Sequence, residues 1–390
     1  MPIKVLSIIT KLELGGAQKN AIELLAGLEK NGFEVHLVSS DGYMRHEAGS
    51  VPGAKVKIVK YLKREPDPFF DILSVFMLAR YMRKNRIDIV HTHSSKAGIV
   101  GRFAARLAGI PVVIHTIHGW GFHGYQNSLA SWFYIQMERI AAGFTTKFIA
   151  VTHSDIRKGL KCRIGRESQY FMNRCGITFG EKTMPKEAVS KKRRLLGLAE
   201  EDMVIGTVAC FKKQKNHVDL IECASNICKD HPNAKFLLVG DGALRPKIVA
   251  LINRYGLQNN VQLLGWRRDV NELLQLMDVF MLTSLWEGLP VSVLEAQSMG
   301  LPVVAYNVCG VNEAIKDGVN GFLVRTGDIE LLCDRLGQLL SNAALRKRMG
   351  DMGKCVISTD EFSSAKCVSR TIELYCREFK KAMAENRVSV

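Results

Sequence analysis

The chain has 390 residues, 47% of them hydrophobic, which excludes a disordered protein and is enough for two domains. Its net charge is +16, and residues 1–200 carry almost all of it, with 31 Lys and Arg against 16 Asp and Glu. No helix-turn-helix, RRM or zinc signature accompanies this charge. A nucleic-acid partner is therefore disfavoured, and the charge favours an anionic lipid or an anionic acceptor.

Segments that would export or anchor the chain are not predicted. The first residues, 1–9, form a short apolar run without the long apolar core of a signal peptide. The apolar stretch 69–82 contains Asp71 and Arg80 and is too short to span a bilayer. The ten cysteines show no Cys-x-x-Cys or metal-ligand spacing, so we expect reduced thiols in a cytoplasmic protein.

Apolar runs rich in Val and Ile alternate with helical patterns along the first half of the chain. Two of the helical patterns are 18–30 and 97–108. The apolar runs predict strands at 4–9, 34–39, 55–59, 87–91, 112–116 and 147–151.

A second alternating series opens after residue 200. A short helix is predicted at 291–299, with Pro290 at its first position. Alternation of strand and helix favours parallel sheets with right-handed crossovers, so the two series predict two Rossmann-like domains. The strands of the second series are predicted at 204–208, 235–239, 261–264, 279–282, 302–306 and 321–324.

The segment between the two series, 175–198, lacks a clear period and is rich in Lys and Arg, which favours a connection between domains. The end of the chain is an amphipathic helix. We therefore predict an N-terminal domain at 1–180, a C-terminal domain at 199–361 and a terminal helix at 362–390.

The loop after the first strand contains Gly15 and Gly16. Two glycines let the backbone come close to a ligand, and the helix that follows presents free N–H groups to an anion. A plain turn is the alternative for an isolated Gly-Gly pair.

Histidines stand at the ends of two further strands. His91 and His93 point to the same side of their strand, but no third ligand lies at a telling distance, so we expect no metal site. His118 follows a strand in the sequence Thr116-Ile-His-Gly119. This position favours an active-site role over that of a buried structural histidine.

The most informative segment is 286–304. Glu287 lies in a Glu-Gly-x-Pro turn after a buried strand, and Glu295 lies one turn inside the next helix. Ligands bind at this edge of open α/β sheets, where the two carboxylates can accept hydrogen bonds from sugar and ribose hydroxyls. Two solvated surface charges are the alternative, which the packed sequence of strand, turn, helix, Gly-x-Pro and strand disfavours.

In this segment the sequence resembles the retaining glycosyltransferases of family 4, whose signature is two glutamates separated by seven residues. The resemblance implies the GT-B fold, with two Rossmann-like domains facing each other across a cleft and a C-terminal helix that crosses back to the first domain. It extends to the Gly-Gly and Thr-x-His-Gly motifs, and it includes enzymes that build bacterial capsule or exopolysaccharide.

The resemblance also implies roles for individual residues. Glu295 would bind the ribose of a nucleotide-sugar, and Glu287 and His118 would lie beside the donor sugar. Lys215 would bind the pyrophosphate, so that His118, Glu287 and Lys215 form the expected catalytic set.

Two positions depart from the family pattern. Cys210 stands where the family has an Arg for the pyrophosphate, and Lys212 or Lys213 is expected to supply the missing charge. A run of lysines is otherwise typical of a solvated surface. Cys309 stands where the family usually has Gly in its Gly-x-x-Glu loop.

Three glycines and one further glutamate complete the expected donor site. Gly240 and Gly242 would lie near the base, although a simple turn is the alternative for them. Gly310 and Glu313 would meet the phosphate and the sugar hydroxyls.

We therefore expect transfer of a sugar, hexosyl or N-acetylhexosaminyl, from a UDP-sugar to a lipid-linked or saccharide acceptor, with retention and without a metal or cofactor. The alternatives are a non-transferring GT-B enzyme, such as a nucleotide-sugar 2-epimerase, and a non-catalytic GT-B scaffold. The glutamate spacing and the Thr-x-His-Gly motif argue against the epimerase.

The charge of the first domain suggests a location. Basic residues surround the apolar stretch 69–82, a pattern typical of a surface helix on anionic lipid, although a core helix with solvated charges is the alternative. We expect a cytoplasmic enzyme attached peripherally to the inner face of a bacterial membrane. The residues concerned are Lys63, Arg64, Arg80, Arg83, Lys84 and Arg86.

Overall fold

The chain is organised around two separate parallel sheets. The computed structural model describes residues 2–63, 65, 67–178 and 183–388. Unit 1 comprises Met1–Gly176 and Ser364–Val390, and unit 2 comprises Ile177–Ser363. The two parallel α/β sheets agree with the predicted fold class.

The strands of both sheets are short and mostly buried, as expected when helices cover a parallel sheet. Within the described residues the strands are β1 (Lys4–Lys11), β2 (Glu34–Ser40), β3 (Lys55–Ile58), β4 (Ile89–His93), β5 (Val112–Ile117), β6 (Lys147–Ala150), β7 (Tyr170–Met172), β8 (Met203–Val208), β9 (Ala234–Val239), β10 (Val261–Gly265), β11 (Val279–Leu282), β12 (Val303–Tyr306) and β13 (Gly321–Val324).

Each sheet has a point where the strand order reverses. Unit 1 has the order β3-β2-β1-β4-β5-β6-β7, and unit 2 has the order β10-β9-β8-β11-β12-β13. All neighbouring strands pair in parallel. The loops that follow β1 and β4, and those that follow β8 and β11, therefore flank the switch points where such sheets bind ligands.

Helices connect the strands and cover the sheets. None of those in the described residues combines the length and apolar character needed to cross a membrane. They are α1 (Gly16–Lys30), α2 (Arg45–Gly49), α3 (Pro68–Asn85), α4 (Ser95–Ala108), α5 (Ser128–Ala142), α6 (His153–Lys161), α7 (Lys186–Leu195), α8 (His217–Asp230), α9 (Arg245–Arg254), α10 (Val270–Leu274), α11 (Val291–Ser298), α12 (Val311–Ala314), α13 (Ile329–Ser341), α14 (Ala343–Ile357) and α15 (Ser364–Val388).

The terminal helix α15 belongs to unit 1, as predicted. It packs on α1 so closely that a Cβ on Gly27 would stand 2.3 Å from Val368. Leu374 and Tyr375 are buried in the core formed with β1 and β2.

Strand β7 and helix α7 are among the elements that the sequence did not predict. Helix α7 lies in the segment expected to connect the domains, and Lys192 fixes it to unit 2 by ion pairs with Asp269, at 2.5 Å, and Glu272. These partners are about eighty positions away in the sequence, so no local pattern reveals them. The predicted domain boundaries stay a prediction, and residue 180 lies outside the described residues.

Most predicted elements have at least one end that differs from the observed end by one or two residues. Strand β4 runs two residues later than predicted, so His91 and His93 both lie inside it. Pro290 precedes α11 as its N-cap residue and is not its first helical residue. Helix and strand ends are the least sharply encoded positions in a sequence.

A buried ion pair ties α4 to α5. The Arg102 guanidinium lies 2.6 Å from the Glu138 carboxylate, with both side chains almost fully buried. Arg102 also donates to the Gly98 carbonyl at 2.8 Å and to the Thr145 hydroxyl at 3.4 Å. The guanidinium is thus supplied with acceptors, which a buried charge requires.

Removing one partner of this pair should destabilise unit 1 strongly. We expect Glu138→Ala to lower the free energy of unfolding by about 3–5 kcal/mol, because it leaves a buried guanidinium without its counter-charge. Asp351→Ala, which breaks the exposed pair with Lys347, is the control and should leave the urea midpoint unmoved. Equal midpoints for the two variants would contradict the role given to Glu138.

Candidate functional site

The site in unit 2 is built at the switch point between β8 and β11. Phe211, whose side chain is buried, anchors the loop after β8. Its backbone N–H donates to the Asp241 carbonyl at 2.9 Å. The Phe211 carbonyl accepts from Leu244 N–H at 3.0 Å. The loops after β8 and β9 are therefore fixed to each other.

Lys215 and Glu287 meet at this switch point. Their ammonium and carboxylate form an ion pair, and the side chains are only 15% and 8% exposed. Gln214 joins the same two loops by donating to the Trp286 carbonyl at 2.8 Å. The structure thus brings together two of the residues predicted for catalysis, although they are 72 positions apart.

The backbone around Lys215 is shaped to present this lysine. Lys213–Lys215 forms a single 3-10 turn, and Asn216 ends it in the left-handed conformation at φ 46°, which asparagine tolerates better than most residues. The Thr283 hydroxyl, just after β11, lies 3.2 Å from the Lys215 carbonyl and 3.0 Å from the Asn216 carbonyl. A cation and a hydrogen-bond acceptor consequently stand side by side on two tightly connected loops.

The three predicted glycines of unit 2 lie where loop backbones cross. A Cβ on Gly240 would stand 2.2 Å from the Ala209 carbonyl oxygen, and one on Gly242 would stand 2.6 Å from that of Phe211. For Gly310 the distance to the Gly288 oxygen would be 1.5 Å. All three also have positive φ, a backbone conformation that favours glycine. The backbone of a neighbouring loop occupies the space where a side chain would begin. A contact with the nucleotide stays a prediction for these residues.

The remaining predicted donor residues lie on adjacent elements. Glu295 is on α11 and Glu313 is on α12, and both side chains are half-buried. In the lysine loop, Lys212 is half-buried and Lys213 is exposed. Cys210, at the position of the family's Arg, is half-buried.

In unit 1, a cluster of histidines surrounds the predicted His118. His93 Nδ1 and His118 Nε2 are 3.1 Å apart, and Cys175 Sγ lies 3.6 Å from His118 Nδ1. Both ring nitrogens of His118 are therefore engaged within unit 1. His91 is held between the Tyr375 hydroxyl of α15 and the Thr116 hydroxyl, the latter at 2.6 Å.

Burial keeps these histidines neutral. It lowers the pKa of His91 to about 3 and the pKa of His118 to about 4. The pKa values of His93 and His115 are also well below the ordinary value, again chiefly through burial. At neutral pH these rings can offer an N–H or a lone pair, but they provide no positive charge and no ready general acid.

His91 and His93, which we considered as a metal-binding pair and do not expect to bind a metal, are part of this cluster. The rings of His91 and His93 are 4.1 Å apart. In the part of the chain that the structure describes, no three His, Cys, Asp or Glu side chains come together as metal ligands do.

The Gly-Gly loop of unit 1 differs from the glycines of unit 2. Gly16 is the first residue of α1, and Gly15 caps it with an extended φ of −166°, which any residue can adopt. A Cβ on Gly15 would meet only the flexible Gln18 side chain. The space beside Gly15 is thus occupied by a side chain that can move, and a ligand contact at this helix N-terminus stays a prediction.

The sequence prediction missed three residues of the two clusters. Cys175 and Tyr375 reach the histidines from 57 and 284 positions away, and neither stands in a motif. Gln214 carries a weak signal, since it lies between the lysines of the β8 loop.

Comparison with known proteins identifies the family. Residues 14–167 match the family model for Glycosyltransferase Family 4, and residues 189–356 match the model for Glycosyl transferases group 1. The UDP-Gal:alpha-D-GlcNAc-diphosphoundecaprenol alpha-1,3-galactosyltransferase of Escherichia coli is 31% identical over 389 residues, which cover 96% of each chain. The chain belongs to glycosyltransferase family 4. The capsular polysaccharide biosynthesis glycosyltransferase CapM of Staphylococcus aureus is 26% identical over 93% of each chain.

Solved structures of low sequence identity share the fold of this glycosyltransferase. Anabaena Alr3699/HepE, solved in complex with UDP and glucose, has a TM-score of 0.84 at 20% identity, covering 96% of this chain and 100% of that one. The likeness, together with the two parallel sheets and the return of α15 to unit 1, confirms the predicted GT-B fold.

The crossing of Gly310 and Gly288 can be tested with a matched pair of variants. Gly310→Ala should displace the loop that carries Glu287, because its Cβ would overlap a backbone oxygen, and both turnover and the unfolding midpoint should fall. Gly327→Ala is the control, since Gly327 has a similar φ of 83° and nothing within 4 Å of its Cβ position. It should show only the cost of left-handed backbone, about 1 kcal/mol. Similar losses in the two variants would mean that the crossing is not the constraint.

Proposed function

We propose that this glycosyltransferase transfers a hexosyl or N-acetylhexosaminyl unit from a UDP-sugar to a lipid-linked acceptor of surface polysaccharide synthesis, retaining the anomeric configuration and without a metal. The observation that carries the proposal is the ion pair of Lys215 and Glu287 at the switch point of unit 2. The Escherichia coli relative supports the choice of substrates, since its name gives UDP-Gal as donor and a diphosphoundecaprenol-linked acceptor.

Unit 2 would bind the donor. The ammonium of Lys215, with Lys212 beside it, would face the diphosphate, and Glu295 would accept from the ribose hydroxyls. Glu287 would accept from hydroxyls of the sugar. The Glu287 carboxylate forms an ion pair with Lys215, so an arriving diphosphate would compete for this lysine and free the carboxylate for the sugar.

The reaction would break the bond between the anomeric carbon and the diphosphate oxygen and form one to an acceptor hydroxyl on the same face of the sugar. The acceptor proton would pass to the departing phosphate oxygen. Charge grows on the diphosphate in this step, so a cation held in position lowers the barrier without having to reorganise. Lys215 is held in this way by its two loops.

Unit 1 would supply the acceptor side and the neutral His118. Because burial keeps the His118 pKa at about 4, its role would be to hydrogen-bond a sugar hydroxyl and not to protonate the leaving group. To do so, it would share a ring nitrogen that now contacts His93 or Cys175.

The test is nucleotide release and product formation with a panel of UDP- and GDP-sugars. Glu295→Ala should weaken UDP binding by roughly 1–3 kcal/mol, because ribose hydroxyls lose their acceptor. Glu287→Ala should lower turnover more than UDP affinity, and Lys215→Ala should lower both. Lys229→Ala, at an exposed position on α8 that has no proposed role in the site, is the control.

Several outcomes would count against this assignment. Unchanged UDP affinity in Glu295→Ala would remove the ribose role, and full activity in Lys215→Ala would move the phosphate role to another lysine. UDP binding without any turnover would favour a non-catalytic scaffold. Conversion of the donor without an acceptor would favour an epimerase. Loss of activity in EDTA that only a divalent ion restores would overturn the metal-free mechanism.

We also propose that the enzyme attaches peripherally to the inner face of the cell membrane. Arg80, Arg83 and Lys84 are exposed at the end of α3 and, with Phe76 and Leu107, line a shallow groove. Arg64, another basic residue of the predicted group, lies outside the described residues. Clustered cations of this kind attract anionic lipid.

Co-sedimentation with vesicles tests this attachment. Binding should need anionic lipid, weaken as salt rises and drop when Arg80, Arg83 and Lys84 become Glu. The charge-matched control changes Lys229, Lys247 and Arg348, exposed in unit 2, to Glu. If both triple variants lose binding equally, only the net charge matters and α3 has no special role.

A further inference from the structure

Unit 1 carries a group of exposed apolar side chains that the charge pattern does not account for. They lie on α3 and α5 and are 52–73% exposed. We call them the apolar rim: Phe69, Ile72, Phe76, Leu129, Trp132 and Phe133. Single exposed apolar residues are ordinary on a protein surface, whereas a group on neighbouring helices marks an interaction site.

The rim occupies one side and one end of each helix. On α3 its residues are spaced by three and four, and on α5 by three and one, so each set shares a helix face. Both sets lie mostly in the first half of their helices. Helices α3 and α5 follow β3 and β5 in a parallel sheet, so their first turns, and the rim with them, lie toward the carboxyl edge of the sheet. This edge also carries His118 and the switch point of β1 and β4.

Contacts between the first turns connect the two helices. Asp71 of α3 pairs with Lys96 of α4 at 2.7 Å. The charge of Asp71 also reaches Tyr134 of α5, where, after burial, it contributes to raising the pKa of the phenol. The two parts of the rim thus flank the start of α4, on one side of unit 1.

Charge decides which partner fits this surface. The exposed stripe of α3 continues from Phe69, Ile72 and Phe76 into the basic Arg80 and Lys84, whose midpoint lies about 15 Å further along the helix than that of the apolar residues. An apolar half and a basic half on one stripe fit a bilayer interface, with hydrocarbon under one and anionic headgroups under the other. A second copy of this chain is a poor partner. Residues 1–200 carry most of the net charge of +16, so the same region of two copies would repel each other electrostatically.

We propose that the apolar rim inserts into the hydrocarbon boundary of the membrane, so that unit 1 meets the bilayer with the edge that holds His118. A lipid-linked acceptor has its reactive sugar just above the headgroups, and this orientation would place the acceptor side there. The statement about the acceptor rests on the proposed function. The insertion itself does not.

Salt distinguishes membrane binding through the apolar rim from membrane binding through Arg80, Arg83 and Lys84. At about 1 M salt the screening length falls to roughly 3 Å, so headgroup attraction is suppressed and insertion remains. The parent protein should therefore keep a salt-resistant fraction bound to anionic vesicles. Ile72→Asp with Leu129→Asp should lower this fraction at least tenfold, whereas the basic triple variant should keep it.

The matched control changes two exposed apolar residues of unit 2, Leu195→Asp with Val249→Asp, which are 76% and 38% exposed in the parent. It should bind vesicles as the parent does. As a second measurement, brominated lipid should quench part of the tryptophan emission of the parent, and Trp132→Phe should lose the quenched part. Insertion is ruled out if the parent has no salt-resistant binding, or if the rim variant keeps it.

Two further measurements keep this proposal apart from the proposed function. Transfer to a lipid-free saccharide acceptor should be equal in the parent and the rim variant, while transfer to a lipid-linked acceptor in vesicles should fall in the variant. Vesicle binding by a protein without any transferase activity would leave the rim in place and remove the function. A parent dimer that the rim variant splits, with no vesicle binding, would overturn the rim proposal and make this face a contact between copies.

Discussion

The chemistry of unit 2 depends on how closely its loop backbones approach one another. Where the loops after β9 and β12 cross those after β8 and β11, no Cβ can be accommodated at Gly240, Gly242 or Gly310. This packing leaves the loops little freedom, and the side chains they carry inherit the constraint. Lys215 and Glu287 are thereby held in contact, and the electrostatic role proposed for Lys215 would depend on this fixed position.

Unit 1 is organised by the opposite means, through burial of polar side chains. Four histidines lie close together without positive charge, since their burial leaves too little water around them to stabilise the protonated form. The two units therefore differ in what they can offer a substrate. Unit 2 provides a cation that a carboxylate balances, and unit 1 provides neutral hydrogen-bonding rings.

Much of this architecture was predictable because buried parallel strands appear in a sequence as unbroken apolar runs. Strand β7 escaped prediction because it has three residues, all half-buried. Helix α7 escaped because its surface is polar and acidic residues far along the chain hold it. The placement of Glu287 in a loop and Glu295 on a helix followed from the Glu-Gly-x-Pro turn between a strand and an amphipathic segment.

Side-chain contacts were beyond the reach of the sequence. The motifs placed Lys215 and Glu287 at loop ends, but only the strand order β8-β11 brings those loops together. The glycines of unit 2 were expected to make room for a ligand, and a neighbouring backbone fills that room. The stretch 69–82 was correctly expected to be helical, yet its pattern did not show that Phe69 and Ile72 point outward, since exposure depends on which side α4 covers.

The return of α15 has a consequence for how the protein is made. Unit 2 is an insertion within unit 1, and the Tyr375 hydroxyl that holds His91 is synthesised only after the whole of unit 2. At ordinary rates of translation, the ribosome needs roughly 10–40 s to add the residues of unit 2. During that time the first 176 residues lack the helix that closes their core. Unit 2 can therefore finish folding before α15 is available to complete the core of unit 1.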